Sequence, residues 1–285
     1  SIRAADDVVT IIHTNDMHGR LYEYVNDGAN TRLAALKSYK NAKNASFVFD
    51  AGDAIQGLPI SNITQGDNML RAMIDIGYDA MTMGNHEFDF GYDQLLALKA
   101  IHDTNINMLS NNVYKDGAPL LDRHVVIEKD GYRVGVIGTT TPETAYKTHP
   151  KNVKGIEFRN PIVEVKKDID TLESKNVDLI VVLSHLGNDQ ETKNNERGDV
   201  AAQTLADENY ATPILFVDGH AHREFPEGKM YDNVLYVQTG EYLNNIGHVE
   251  INKDDFSKST AKLVAIESIV IGDGDETFLQ IEKDA

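Results

Sequence analysis

The chain has 285 residues, 41% hydrophobic and 25% charged, enough apolar material to close a sizeable core and too much for a disordered polymer. Its 45 acidic against 27 basic residues give a formal charge of −18, which supplies no general basic face for a nucleic-acid polymer and repels anions at long range. Cysteine is absent, excluding disulfides, thiolate metal sites and cysteine nucleophiles, and no run approaches the ~20 apolar residues that span a bilayer.

The polar start, Ser1 to Asp7, has no signal-peptide core. Val8–His13 then reads as a buried strand, and Thr31–Ala42 carries helical periodicity. Phe47–Phe49 is a second strand. It is followed by a helix over Asn68–Ile76, for which Asp67 is the expected N-cap and Gly77 the C′ residue. Ala80–Met83 and Ile106–Leu109 are strands on either side of a helix at Tyr92–Ile101. His124–Glu128 and Tyr132–Ile137, joined by Lys129-Asp130-Gly131, predict a hairpin with a glycine-containing loop. Helices at Pro161–Ser174 and Asp199–Leu205 alternate with strands at Leu179–Ser184 and Ile214–Val217. Val234–Gln238, Ile246–Ile251 and Lys262–Val270 follow without intervening helices, which predicts mixed pairing. The alternation predicts one layered α/β domain over residues 1–271. Residues 272–285, with the acidic run Asp273–Glu276, read as a solvated tail or the start of a linker.

The chemistry gathers where strands end. Asp16 and His18 follow the first strand, Asp53 the second, and Asn85 and His86 the third; His185 and the pair His220 and His222 close two later ones. Side chains at the carboxyl ends of neighbouring strands converge on one sheet edge, where α/β proteins place their sites. Any one of these fragments alone is an ordinary turn, but five such fragments in succession at strand ends are not. Imidazole, carboxylate and amide donors suit Zn²⁺, Mn²⁺ or iron rather than Ca²⁺. Seven donors are too many for one such ion and suit two, with one carboxylate shared. In extended backbone, residues two apart face the same way, so Asp16 with His18, and His220 with His222, are each expected to aim together. Glycines 19, 52, 84 and 219 allow tight turns beside them. Asn111 and Asn112 are candidate substrate contacts, and Tyr22 and Tyr24 read as loop residues. His13 reads as a core or supporting histidine, and His102, His124, His149 and His248 as ordinary packing or surface residues.

The ordered set Asp16-Met-His18, Gly52-Asp53, Gly84-Asn-His-Glu87, His185 and Gly219-His-Ala-His222 resembles the calcineurin-like metallophosphoesterase superfamily. The longer strings His13-Thr-Asn-Asp-Met-His-Gly19, Asp50-Ala-Gly-Asp-Ala-Ile-Gln-Gly57 and Gly84-Asn-His-Glu-Phe-Asp-Phe-Gly91 resemble the catalytic domain of bacterial 5′-nucleotidases. Thr140-Thr-Pro-Glu-Thr144 and Gln238-Thr-Gly240 add to the match, which looks nearest to the adenosine-producing surface nucleotidases of Gram-positive cocci. The resemblance implies a four-layer α-β-β-α sandwich and two divalent ions, zinc or manganese. Asp16, His18, Asp53 and His222 would hold one ion, and Asp53, Asn85, His185 and His220 the other. It gives His86, paired with Asp89, the task of stabilising the transferring phosphoryl group or the leaving oxygen.

The activity implied is hydrolysis of nucleoside 5′-phosphates of the AMP, ADP and ATP type, by in-line attack of hydroxide generated at the metals. Two divalent cations outweigh two carboxylates and one hydroxide, giving the site a positive charge that the surface lacks. The resemblance also implies an extracellular or cell-wall-attached setting, and a nucleotide-recognising C-terminal domain that this chain does not contain. A 2′,3′-cyclic-nucleotide phosphodiesterase, a nucleotide-sugar hydrolase and a non-catalytic surface binding module are the competing readings. The intact His86 and Asp89 pair argues against the last.

Overall fold

The computed structural model describes residues 7–21, 23–25, 28–30 and 32–272; residues 1–6, Tyr22 and the acidic run Asp273–Glu276 lie outside them. Four strands open a first sheet: β1 (Val8–Thr14), β2 (Phe47–Asp50), β3 (Ala80–Thr82) and β4 (Asn107–Leu109). Six build a second: β5 (His124–Lys129), β6 (Tyr132–Thr140), β7 (Leu179–His185), β8 (Ile214–Val217), β9 (Lys229–Tyr231) and β10 (Val234–Val237). Two return to the first, β11 (Asn245–Asn252) and β12 (Thr260–Ala265). The orders are β12-β11-β1-β2-β3-β4 and β9-β10-β8-β7-β6-β5. β1 to β4 run parallel, while β11 pairs antiparallel with both β1 and β12. In the second sheet β6, β7, β8 and β10 are parallel, and antiparallel β5 and β9 form the edges.

The period-two geometry of a strand sorts consecutive residues into different cores. Ile11, Phe47 and Phe49 meet Val136, Val181, Leu183, Leu215 and Val217 between the two sheets. Ile12 and Val48 face outward onto Leu33 and Leu36 of α1 (Arg32–Lys43), Met69 and Met73 of α2 (Asp67–Ile76) and Leu95 of α3 (Tyr92–His102). On the far side Ile137, Ile180, Val182 and Phe216 pack on Val165 and Ile169 of α4 (Pro161–Glu173) and Leu205 of α5 (Gly198–Asp207). Three cores thus separate four layers, the α-β-β-α sandwich. Strands buried on both faces read as continuous apolar runs, which is why Leu179–Leu183 and Ile214–Val217 show no alternation.

Local details depart from expectation in several places, among them the last strand, expected over Lys262–Val270, which ends at Ala265 before a 3-10 turn at Ile266–Ser268. Gly66, at φ 96°, is the N-cap of α2. Asp67 lies inside the first turn, and its carboxylate accepts from His102 Nε2 at 2.6 Å. Its charge still favours the helix N-terminus, but it does not cap it. Gly77, at φ 98°, ends the helix as expected by bonding the Met73 and Ile74 carbonyls. Lys129 belongs to its strand and pairs with Tyr132, so the hairpin turn is only Asp130-Gly131, both left-handed. A small sheet of Val113–Lys115, Ala118–Pro119 and Ile156–Phe158 has no counterpart in the sequence pattern, because strands of two or three residues carry too little periodicity to read.

Candidate metal centre

The loops leaving β1 and β2 continue the parallel ladder past the strands: Ala51 N donates to Thr14 O, Asp16 N to Gly52 O and His18 N to Asp53 O, each at 2.9 Å. This backbone is not extended. Asp16, His18, Asp53, His220 and His222 have φ of 53°, 47°, 56°, 74° and 57°, in the left-handed region that side-chain-bearing residues rarely adopt. The expectation that extended backbone aims Asp16 with His18, and His220 with His222, is therefore corrected. Left-handed turns beyond the strand ends bring Asp16 and His18 together and point His222 towards Asp16 but His220 towards Asp53. Such conformations cost of order 1–3 kcal/mol each and persist where surrounding bonds over-determine them.

Those bonds divide each carboxylate. Asp16 Oδ2 accepts from Asn15 Nδ2 at 2.6 Å and His220 N at 2.9 Å, leaving Oδ1 to face imidazoles. Asp53 Oδ1 accepts from His86 N at 2.9 Å, leaving Oδ2 to do the same. His222 Nε2 lies 3.2 Å and His18 Nε2 3.9 Å from Asp16 Oδ1; His185 Nε2 lies 3.0 Å and His18 Nε2 3.7 Å from Asp53 Oδ2. Two triads result, Asp16 with His18 and His222, and Asp53 with His185 and His220, the candidate ligand atoms of each lying within 4.8 Å of one another. His18, beside both carboxylates, joins the two. Each triad draws on both sheets. Asp16, His18 and Asp53 come from the first, and His185, His220 and His222 from the second.

Four atoms test whether this cluster suits metal ions. Asp16 Oδ1, His18 Nε2, Asn85 Oδ1 and His185 Nε2 are buried and have no hydrogen-bond partner. Buried polar atoms of this kind are rare, and so many in one cluster fit a cationic occupant. The opposite ring nitrogens are satisfied: His18 Nδ1 lies 3.1 Å from Gln56 O, and His185 Nδ1 lies 2.7 Å from Ala51 O. In the protein alone the imidazoles supply the missing positive charge. Burial lowers the His185 pKa, but Asp53 and Asp16 more than reverse this and hold it well above the ordinary value. The adjoining Asp16 carboxylate raises His222. Burial would raise Asp53, yet His185, His86 and His18 keep it far below the carboxylate range. For His18 burial dominates and lowers it.

His86 stands at the rim, its ring 5.2 Å from that of His18. Its Nδ1 lies 2.6 Å from Asp89 Oδ2, and this hydrogen bond raises its pKa. Asp89 is itself held by Thr148 Oγ1 at 3.0 Å. A cleft of about 400 Å³, lined by His18, Arg20, Gln56, Gly57, Leu58, His86, His222 and Tyr242, opens beside these rings. The hollows of about 330 and 670 Å³ around Asp130, Tyr132 and Lys253 lie near the start of β1 and include none of the candidate ligands.

Asn111 and Asn112 are expected as candidate substrate contacts. Both are fully buried, and neither lines the cleft. Asn111 Nδ2 donates to Asp168 Oδ2 at 2.8 Å, and Asn112 bonds the Thr140 backbone on both sides. These bonds join the first sheet to the layers beyond it. His13 is a core residue, its ring lying against Gly247 of β11, and burial lowers its pKa to about 3. His102, His124 and His248 pair with Asp67, Asp168 and Glu250, and His149 accepts from Lys151 N.

Sequence reasoning missed the carboxylates behind the centre. Glu87 receives Asp53 N at 2.9 Å and Ala54 N at 3.1 Å, fixing the strained turn, and burial raises its pKa well above normal. Its place next to Asn85 and His86 was the available signal. Glu143 contacts His220 Nε2, and Glu241 contacts His222 Nδ1. Both pairs are formed by the fold, and no local pattern marks Glu241.

Residues 9–224 match the model of the calcineurin-like phosphoesterase family. The chain is 35% identical over 224 residues to a 5′-nucleotidase of Vibrio vulnificus, a match covering 75% of this chain and 40% of that protein. It is 30% identical over 289 residues to endonuclease YhcR of Bacillus subtilis, covering 90% of this chain and 23% of that one. The crystal structure of a 5′-nucleotidase precursor from Thermus thermophilus superimposes with a TM-score of 0.74 at 26% identity, over 97% of this chain and 58% of that one. The chain thus spans less than half of the length of the curated relatives it matches. The family match over most of its length, on this sandwich and with these two triads at its rim, establishes that the chain belongs to the calcineurin-like phosphoesterase family.

Proposed function

We propose that this chain hydrolyses nucleoside 5′-phosphates with two divalent ions, manganese or zinc. Asp16, His18, Asp53 and His222 would hold one, and Asp53, Asn85, His185 and His220 the other. The observation that carries this reading is the pair of triads joined through Asp53 and His18, with four buried donor atoms aimed inward without partners. When bound, such a pair supplies Lewis acidity and a water acidic enough to attack at neutral pH. The remaining work belongs to the side chains. Asp53, anchored through Oδ1, presents Oδ2 between the triads. His86, oriented by Asp89, whose hydrogen bond favours its protonated form, offers its Nε2 proton to a phosphoryl or leaving oxygen at the cleft.

The nucleotide class is supported by the relatives named 5′-nucleotidase. Recognition of the base by a C-terminal domain and an extracellular, cell-wall-attached setting belong to the same proposal, on the resemblance of the motif strings. Among the described residues no helix is long and apolar enough to cross a membrane. Two-metal sites also serve diesters, and a relative named as an endonuclease keeps a cyclic-nucleotide substrate as the second reading. The formal charge of −18 disfavours a polymeric one.

The test is phosphate release from AMP, ADP and 2′,3′-cyclic AMP by protein stripped with chelator and reloaded with Mn²⁺ or Zn²⁺, for wild type and Asp53→Ala. Release from AMP and ADP that vanishes in Asp53→Ala is expected. Preference for the cyclic ester supports the second reading. Two ions bound with no turnover of any ester leaves only a binding module.

A further inference from the structure

The four candidate imidazole ligands are supported in two different ways. His18 and His185 rest their second nitrogens on backbone carbonyls, of Gln56 and Ala51. His220 and His222 rest theirs on carboxylates, Glu143 and Glu241. A carbonyl fixes ring orientation and tautomer. A carboxylate does both and adds charge that makes the imidazole a better donor to a cation.

Glu143 is the more firmly built of the two. It precedes the short helix Thr144–Lys147 and is 5% exposed. Oε1 accepts from Thr192 Oγ1 at 2.8 Å, while Oε2 lies 2.9 Å from His220 Nε2 and also contacts Lys147 Nζ. Thr192 comes from the segment after β7 and His220 from the segment after β8, so three separate segments meet on one carboxylate. With Nε2 occupied, the nitrogen of His220 available to Asp53 and His185 is Nδ1. The His185 and His220 rings stand 5.1 Å apart.

We propose that Glu143 is a positioning residue for the second ion: its carboxylate holds His220 with the proton on Nε2 and commits Nδ1 to the Asp53–His185 triad. Lys147 shares that carboxylate, with Nζ also 3.3 Å from His220 Nε2, and so divides its charge. Glu143 therefore sets the affinity of one ion and leaves the other alone, while Lys147 moderates the effect. This inference rests on the two-ion reading above.

The measurement is Mn²⁺ uptake by the whole chain, by calorimetric titration and by electron paramagnetic resonance, for wild type, Glu143→Gln and Lys147→Met. Wild type is expected to take two ions and show a spin-coupled pair. Glu143→Gln should keep one site and weaken the other about 10- to 100-fold, giving an isolated-ion spectrum at intermediate Mn²⁺. Lys147→Met should bind the second ion at least as tightly as wild type, because the carboxylate then acts on His220 undivided. Unchanged affinity in Glu143→Gln, equal weakening of both sites, or a Lys147→Met defect matching that of Glu143→Gln would overturn the proposal, the last by showing a mere helix brace. If Glu143→Gln does not fold, Glu143→Asp, which keeps the charge and withdraws it by one methylene, carries the same expectation. Wild type taking fewer than two ions would defeat the dinuclear reading itself, and this inference with it, a result distinct from all the others.

Discussion

Asp53 can present one oxygen inward only because nothing crowds the other. A Cβ on Gly84 would sit 2.2 Å from Asp53 Oδ1 and 2.7 Å from its backbone nitrogen. Gly84→Ala is therefore expected to displace the shared carboxylate, weaken both Mn²⁺ sites together and remove turnover. Overpacking should cost the chelated protein roughly 1–3 kcal/mol in urea melts. Equal loss at both sites separates this variant from Glu143→Gln. His86 makes a different prediction. His86→Ala should keep both ions and lower kcat on AMP by about 10²-fold or more. The loss should be smaller on p-nitrophenyl phosphate, whose leaving group departs without a proton; equal losses would assign His86 to the phosphoryl oxygens alone. The candidate ligands could be picked out because their types recur at strand ends. What escaped was conformational: nothing in Asp16-Met17-His18 announces two left-handed residues, since that strain is imposed by hydrogen bonds with Gly52, Asp53 and Tyr242 far along the chain.

Among elements, most of the apolar strands and amphipathic helices were readable to within a residue or two, but the strand expected over Lys262–Val270 ends at Ala265, where Ile266–Ser268 forms a short 3-10 turn, and the strand expected to end at Ile137 runs on to Thr140. The joints between elements were not readable. The clearest joint is Arg123, just before β5. Its guanidinium reaches Glu164 and Asp168 of α4 at 2.8 and 3.0 Å and donates to the Asn111 carbonyl at 2.7 Å. Asn111 follows β4 of the first sheet, so one side chain ties that sheet to the helix layer beyond the second. Sequence leaves Asn111 ambiguous, because Asn is common in turns, and its partner Asp168, 57 residues on, has no local signal. Arg123→Met should leave two carboxylates that are 3–4% exposed with only Lys167 on Glu164 and His124 and Asn111 on Asp168, and cost about 1–3 kcal/mol, read as a lowered urea midpoint with the metal-binding stoichiometry intact. A shift too small to measure would mean that these remaining partners suffice.

At the scale of the whole molecule, two charges of opposite reach compete. The −18 envelope repels a nucleotide at a distance, whereas bound cations would attract it only nearby. Adding salt should therefore raise kcat/KM, or at least not depress it, and more for ATP than for AMP. A steep fall with salt would show that the field at the cleft mouth is positive. The pH dependence of folding has a traceable part in His13. Its folded pKa of about 3 lies below the ordinary 6.5, so above 6.5 neither state is protonated and His13 is neutral in its effect. As pH falls from 6.5 towards 3, the unfolded chain takes up a proton that the fold refuses, and stability declines by up to about 1.4 kcal/mol per pH unit. Chelated His13→Leu should show a shallower acid limb in thermal melts than chelated wild type. The two triads carry one more implication, since each takes its members from both sheets. Between those sheets lies an apolar seam, which resists separation but directs no particular alignment. An ion gripped from both sides acts as a clasp, fixing the slide of one sheet over the other, so that the catalytic cations would also guard the fold against opening along its own midline.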